Sequence, residues 1–234
     1  MTTDTLERLR AELRERADVG VRAQLVRVLA PADDDELLGV RVPLMRELAR
    51  RYRELSLEDV DVLLSGRVHE ERFTGLLVLA ERVRRARGAE RKPLVDFYLA
   101  HTGRVDNWDL VDGSAYVVLG PWLVDGPPEA LDVLDELAES AWLWDRRIAL
   151  VATLALIRSG RFDSTLRLVL RLRRDPEPLI HKASGWMLRE IGRRDEPLTV
   201  DFLDRHASEL PRITVRYATE LLTPAARARF VRTR

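Results

Sequence analysis

The chemistry this chain could do is concentrated near its middle, in Val105-Asp106-Asn107-Trp108-Asp109-Leu110-Val111-Asp112-Gly113-Ser114-Ala115. The stretch reads as a helix start. Asp106 is placed to cap the N-terminus, and Asp109 completes an acidic first turn. Trp108 and Asp112 are then one helical turn apart and project from the same face. Later in the chain stand Arg147, Lys182, Trp186 and Arg189. His181-Lys182 and Arg189 flank Trp186, a face compatible with phosphate contacts plus stacking. Arg147 precedes an apolar run, which suits a partner for a buried acid or a grip on a phosphate. By default an isolated Asp is a surface residue and a tryptophan fills a core. Trp142 and Trp144 are assigned to the core on that ground. No GxSxG elbow, phosphate-binding glycine loop, dinucleotide fingerprint or Cys nucleophile is present, so carboxylate, guanidinium and aromatic chemistry is what remains.

Composition narrows the class. The 234 residues are 46% hydrophobic and 33% charged, as expected for a globular protein with much surface. Cysteine is absent, which excludes disulfides and thiolate-held metals. His69, His101, His181 and His206 are far apart and give no metal-ligand spacing, so neither a metal nor a cofactor is expected. The first eighteen residues lack the apolar segment of a signal peptide. The longest apolar run, Ile148 to Ile157, is too short to cross a bilayer. A cytoplasmic protein without membrane contact is the expectation, with a monomer the simplest state. The net charge of +0 argues against indiscriminate coating of nucleic acid. It hides a segregation, however. Residues 101–150 hold three Lys/Arg against ten Asp/Glu, and residues 151–234 hold seventeen against ten. Solvated helix faces explain this blandly; one face that repels polyanions and another that holds them explains it more sharply.

The elements that must position these residues are helical nearly throughout. Leu6, Leu9 and Leu13 form a stripe, and Val21 to Leu29 a second short helix. The run Asp33-Asp34-Asp35-Glu36 marks a loop, and Gly39-Val40-Arg41-Val42-Pro43 a break. Pro43 suits the first turn of a helix over Leu44–Tyr52. Ser56 caps Leu57–Leu64, with Asp59 at the capping-box distance. His69–Arg85 reads as a long amphipathic helix, followed by one over Lys92–His101. Gly120-Pro121 closes the helix of the central motif. Further helices are expected over Glu129–Glu139, Trp142–Arg158, Ser164–Arg173 (capped by Asp163), Pro178–Ile191, Leu198–His206, Pro211–Leu222 and Pro224–Arg232. They pair every thirty-five to forty residues, the size of a HEAT-type unit. The expected fold is therefore all-α: a curved solenoid of HEAT-like antiparallel helix pairs, an α-α superhelix, with residues 1–234 as a single domain.

Four stretches carry a resemblance. Asn107-Trp108-Asp109-Leu110-Val111-Asp112, Trp144-Asp145-Arg146-Arg147 and Lys182-Ala183-Ser184-Gly185-Trp186-Met187-Leu188-Arg189-Glu190 resemble, in the same order, motifs of the AlkD-like DNA alkylation repair glycosylases. Gly39-Val40-Arg41-Val42-Pro43 with Leu44-Met45-Arg46 resembles their N-terminal segment, and Pro211-Arg212 with Arg216-Tyr217-Ala218 also fits. The resemblance spans roughly residues 35 to 222. It implies HEAT-like repeats, a catalytic carboxylate at Asp112, site aromatics at Trp108 and Trp186, and a DNA backbone contact at Arg147. Lys182 and Arg189 would add phosphate contacts. The implied partner is double-stranded DNA carrying alkylated purines. The implied reaction is hydrolysis of the N-glycosidic bond of N3- or N7-alkylpurines without flipping the base. Where the family commonly has Asn, this chain has Asp106, a change the cap should tolerate. Two alternatives compete: a non-catalytic protein binding distorted or branched DNA, and a protein-interaction scaffold, because fold alone does not give function.

Overall fold

The computed structural model describes residues 2–31 and 34–230, so Asp33 and the expected helix end at Arg232 lie outside the described residues. Among the described residues the chain is all-α. One isolated bridge departs from this, between Glu36 and Val68. No helix among them is long and apolar enough to cross a membrane. Contacts gather into two compact units, Met1–Trp122 and Leu123–Arg234.

The first unit contains α1 (Thr2–Glu15), α2 (Val19–Leu29), α3 (Val42–Arg51), α4 (Leu57–Ser65), α5 (His69–Arg85), α6 (Arg91–Ala100) and α7 (Trp108–Val118). Local rules explain several boundaries. Ser56 and Asp59 form the expected reciprocal capping box on α4. Pro43 sits in the first turn of α3, where its missing N–H costs nothing. Leu6, Leu9 and Leu13 of α1 are all buried. Helix α5 folds back along α4. The Arg82 guanidinium donates to the Leu55 carbonyl at one end (2.7 Å), and Gly75 packs on Leu63 midway.

The bounds of α5 match expectation, but its surface does not. Every residue from His69 to Leu79 is buried, because α3, α4 and α7 all pack on this helix. Its first turn is a polar hub whose charges are matched from distant segments. The Glu70 carboxylate accepts from the backbone N–H groups of Leu38 (2.9 Å), Gly39 (2.7 Å) and Val40 (3.2 Å). Glu71 pairs with Arg10 (3.0 Å) and Arg14 (3.1 Å). Arg72 pairs with Asp35 (2.7 Å) and Asp106 (3.1 Å). The segments before α3 and α7 are thus tied to one buried helix end.

Helix α8 (Gly120–Asp125) crosses the boundary between the units. Gly120-Pro121 therefore opens a helix as well as ending α7 at Val118. Proline is tolerated there because an N–H in the first turn has no partner within the helix. The second unit contains α9 (Asp132–Glu139), α10 (Leu143–Ala152), α11 (Leu154–Arg158), α12 (Asp163–Arg171), α13 (Pro178–Gly192), α14 (Glu196–His206), α15 (Arg212–Ala218) and α16 (Pro224–Ala228). The single helix expected over Trp142–Arg158 is divided at Thr153, whose hydroxyl donates to the Leu150 carbonyl (2.6 Å) and competes with the ladder. Asp163 opens α12 from within its first turn, and no side-chain cap forms there.

Each unit has a repeat register of its own. In the first, His69 meets Asp109, His101 meets Asp61 and Arg104 meets the Leu64 carbonyl, each forty residues apart. In the second, Arg147 meets the Leu179 carbonyl, Arg167 meets Asp135 and Arg171 meets Glu139, each thirty-two apart. Helix α5 therefore packs beside α7 and α10 beside α13, as in a HEAT-like stack, with the second unit on a shorter period than the sequence pattern suggests.

Candidate active site

Helix α7 is held by its buried face and displays the other. Leu110, Val111, Ser114, Ala115 and Val118 are buried. The Ser114 hydroxyl donates to the Leu110 carbonyl (2.6 Å) and meets the Tyr98 hydroxyl (2.9 Å), which fixes the helix against α6. The opposite face is half-exposed and carries Trp108, Asp112 and Tyr116 at successive turns. The sequence spacing placed the first two together correctly; Tyr116, at the next step of the same stripe, is an addition from the structure.

The cap differs from expectation. Asn107, not Asp106, is the N-cap, and its side chain makes no capping bond. Its amide instead donates to the Leu29 carbonyl (3.0 Å), while the Trp108 indole N–H donates to the Val28 carbonyl (3.4 Å). The last turn of α2 is thereby attached to the start of α7. Asp106 is drawn away by Arg72. Burial pushes its carboxyl above the ordinary range, the Arg72 guanidinium opposes that, and the nearby Asp35 reinforces it. Asp109 completes the acidic turn but is also the partner of His69, whose Nε2 lies 2.8 Å away.

Gly113 explains how closely α7 approaches α5. A Cβ at this position would stand 2.4 Å from two ring carbons of Phe73, which is buried. The Gly113→Ala variant is expected to lose about 1–3 kcal/mol of stability by overpacking, read by urea unfolding. Adding Phe73→Leu should return part of that loss. A single variant as stable as the wild type would show that the contact does not hold α7 in place.

In the second unit, Lys182, Trp186 and Arg189 form one half-exposed stripe on α13. Arg189 is paired with Glu220, in the turn that follows α15. Among the described residues no acidic partner stands against Lys182, in contrast. Gly185, beside Trp186, is required for close approach: a Cβ there would lie 2.6 Å from Tyr217 Cβ and 2.7 Å from the Thr214 carbonyl oxygen. The Thr214 hydroxyl donates to the His181 carbonyl (3.0 Å) and sets α13 and α15 in parallel register. Arg147 of α10 is buried, 5% exposed, and donates to the Leu179 carbonyl at 2.6 Å. Of the two tryptophans assigned to the core, Trp144 is half-buried, but Trp142 is 45% exposed. It precedes α10 on a loop outside the core-facing stripe of that helix. Among the described residues no group of three or more His, Asp or Glu is arranged to hold a metal ion.

Comparison with known proteins gives a consistent result. A family model described as DNA alkylation repair enzyme matches residues 9–222. No curated protein matches the chain. Solved structures do. One described as a predicted DNA alkylation repair enzyme from Enterococcus faecalis aligns with a TM-score of 0.72 at 16% identity, over 89% of this chain and 98% of that one. AlkD2 from Streptococcus mutans aligns with a TM-score of 0.58 at 17% identity, over 86% and 97%. The smu.31 protein of Streptococcus mutans UA159 aligns with a TM-score of 0.54 at 17% identity, over 94% and 100%. At such identities the structural likeness speaks for the fold, whereas the family model covers nearly the whole chain. The protein belongs to the DNA alkylation repair enzyme family.

Proposed function

We propose that the protein is a monofunctional DNA glycosylase that hydrolyses the N-glycosidic bond of cationic N3- or N7-alkylated purines in duplex DNA, leaving the base in the helix. The observation that carries this reading is the half-exposed face of α7, where the Asp112 carboxylate lies one turn from the Trp108 indole. Family membership supplies the substrate class in coarse form.

The chemistry needs little more than such a pair. Alkylation at N3 or N7 gives the purine a positive charge. When the C1′–N bond breaks, its electron pair goes to the base, which leaves neutral, and the charge passes to the sugar as an oxocarbenium ion. A carboxylate beside that sugar stabilises the developing cation. It also orients the attacking water and accepts its proton as the new C1′–O bond forms. An indole face adds quadrupole attraction of about 0.5–2 kcal/mol for a nearby cation. Because the leaving group is already cationic, no general acid has to protonate it. In this reading Trp186 is the second site aromatic and Arg147 holds the DNA backbone, as the resemblance implies, so that Arg147, 5% exposed and bonded to the Leu179 carbonyl, has to turn outward for that contact. Lys182 and Arg189 contact phosphates, and Arg189 must exchange Glu220 for that contact. A cofactor has no role, and the protein acts as a monomer in the cytoplasm.

The test is direct. Incubation with methylated duplex should release 7-methylguanine or 3-methyladenine, measured by chromatography of the free base. Binding without any release refutes the glycosylase reading. Binding should also weaken steeply with salt. Lys182→Ala should weaken binding to all duplexes alike and lower the salt slope by about 1. An unchanged slope would remove Lys182 from the phosphate contacts.

A further inference from the structure

Trp142, just ahead of the Trp144-Asp145-Arg146-Arg147 motif, has no part in the proposed reaction. It is also the only large aromatic among the exposed large hydrophobic side chains of the described residues. Its loop is rigidly held. The Arg146 guanidinium donates to the carbonyls of Ser140 and Ala141, both at 2.9 Å. On its other side the same group grips the Asp175 carboxylate at 2.6 and 3.3 Å. The Trp142 N–H donates to the Ser140 hydroxyl (3.1 Å), which itself donates to Asp145 (2.7 Å). Asp175 also accepts from the Glu177 N–H (2.9 Å). One buried ion pair thus clamps the loop before α10 to the loop before α13. The backbone that carries the indole is already held, so little backbone entropy is lost when something lands on it.

The same clamp presents charge. Arg174, next to the clamped Asp175, is exposed, and among the described residues no acidic partner stands against it. The neighbouring acids are occupied: Asp135 by Arg167 and Arg171, and Glu139 by Arg171. Residues 139–177 hold eight arginines against five acids. An exposed indole on one clamped loop and an unneutralised guanidinium on the other complement a polyanion with apolar walls between its charges, and the sugar–phosphate backbone of duplex DNA has that character. Continuity points the same way. Trp142 caps the helix that carries Arg147, and Arg147 joins that helix to the start of α13.

We propose that Trp142 and Arg174 form an accessory contact for the backbone of duplex DNA, the indole against deoxyribose and the guanidinium on a phosphate. The inference rests on the glycosylase reading for the identity of the partner, but its own prediction concerns binding and not bond cleavage. With an unmodified duplex as probe, Trp142→Ala should raise Kd roughly tenfold, within the range of an aromatic contact, and leave the salt slope unchanged. Arg174→Ala should lower the slope by about 1. Trp142→Phe should bind nearly as the wild type does. Trp142→Ala should release base from methylated duplex at the wild-type rate once enzyme is saturating. Wild-type affinity in Trp142→Ala overturns the accessory contact and leaves the glycosylase reading standing. Absence of base release by the wild type, with the effect of Trp142→Ala on duplex affinity retained, does the reverse. A concentration-dependent dimer in sedimentation that Trp142→Ala abolishes would assign the indole to a second copy of the chain and overturn the proposal.

Discussion

Asp112→Asn should release alkylpurine about 10²–10⁴-fold more slowly than the wild type, the range for losing a positioned base and a charge that stabilises the transition state. The variant keeps size and shape, so it isolates charge. Asp112 lies on the half-exposed face of α7, away from the stripe of Leu110, Val111, Ser114, Ala115 and Val118 that packs the helix. Urea unfolding of both proteins separates a loss of stability from a loss of chemistry, since Asp112 also interacts within the fold. Affinity for undamaged duplex should hold or rise slightly, because one negative charge has left a surface meant to meet phosphates. The decisive quantity is the single-turnover rate at saturating enzyme. A loss confined to that rate places Asp112 in the transition state and not in binding. A variant that releases base as fast as the wild type would exclude its carboxylate from the mechanism. Trp108→Ala should fall between the two, since a quadrupole contributes less than a full charge.

Arg72→Met should cost about 3–5 kcal/mol in stability, the range for breaking a buried ion pair by removing one partner. The guanidinium is 2% exposed and serves both Asp35 and Asp106. Its loss strands two carboxylates that already repel each other. The pH dependence has a defined sign. Asp106 has a folded-state pKa above its unfolded value, because burial outweighs Arg72. Such a group favours the fold when protonated, and that contribution fades as pH rises through the folded pKa. Without Arg72 the folded pKa climbs further. The deficit of Arg72→Met should therefore be largest near neutral pH and shrink as pH falls toward the ordinary carboxylate range. Urea unfolding across that window reads it directly. Combining Arg72→Met with Asp106→Asn should cost less than the sum of the two changes, as expected for residues in contact. Additive losses would mean that the pair does not interact in solution.

The segment affected is also the one that delivers the candidate site. Asp106 stands two residues before Trp108, and His69 holds Asp109 just after it. Both anchors come from the first turn of α5. A loosened anchor should reduce base release along with stability, so the activity of Arg72→Met has to be compared at temperatures where it is fully folded.

Rules that act within one turn were legible in the sequence. Helical periodicity gave the all-α class, and proline, glycine and the Ser56/Asp59 box marked ends of α3, α4, α5 and α13 to within a few residues. The spacing of Trp108 and Asp112 put both on one face of α7, and that of Lys182, Trp186 and Arg189 gave one stripe on α13. Motif order pointed to the alkylation repair family, and the family model agrees over residues 9–222.

What failed were statements about partners far along the chain. Asp106 looked like a cap because a local rule sees three residues ahead and cannot see Arg72, thirty-four residues back. Helix α5 looked amphipathic because Glu70, Glu71 and Arg72 read as solvent-facing charges, when each is buried against a backbone or an opposite charge from another segment. Trp142 read as core because indoles usually are, whereas a clamp formed by Arg146 and Asp175 holds its loop outside the core. The sequence by itself determined which residues are helical and which share a face, since those depend on a 3.6-residue period. Tertiary structure alone decided which charges are buried and how closely helices approach at Gly113 and Gly185, because both depend on groups that meet only after the chain has folded.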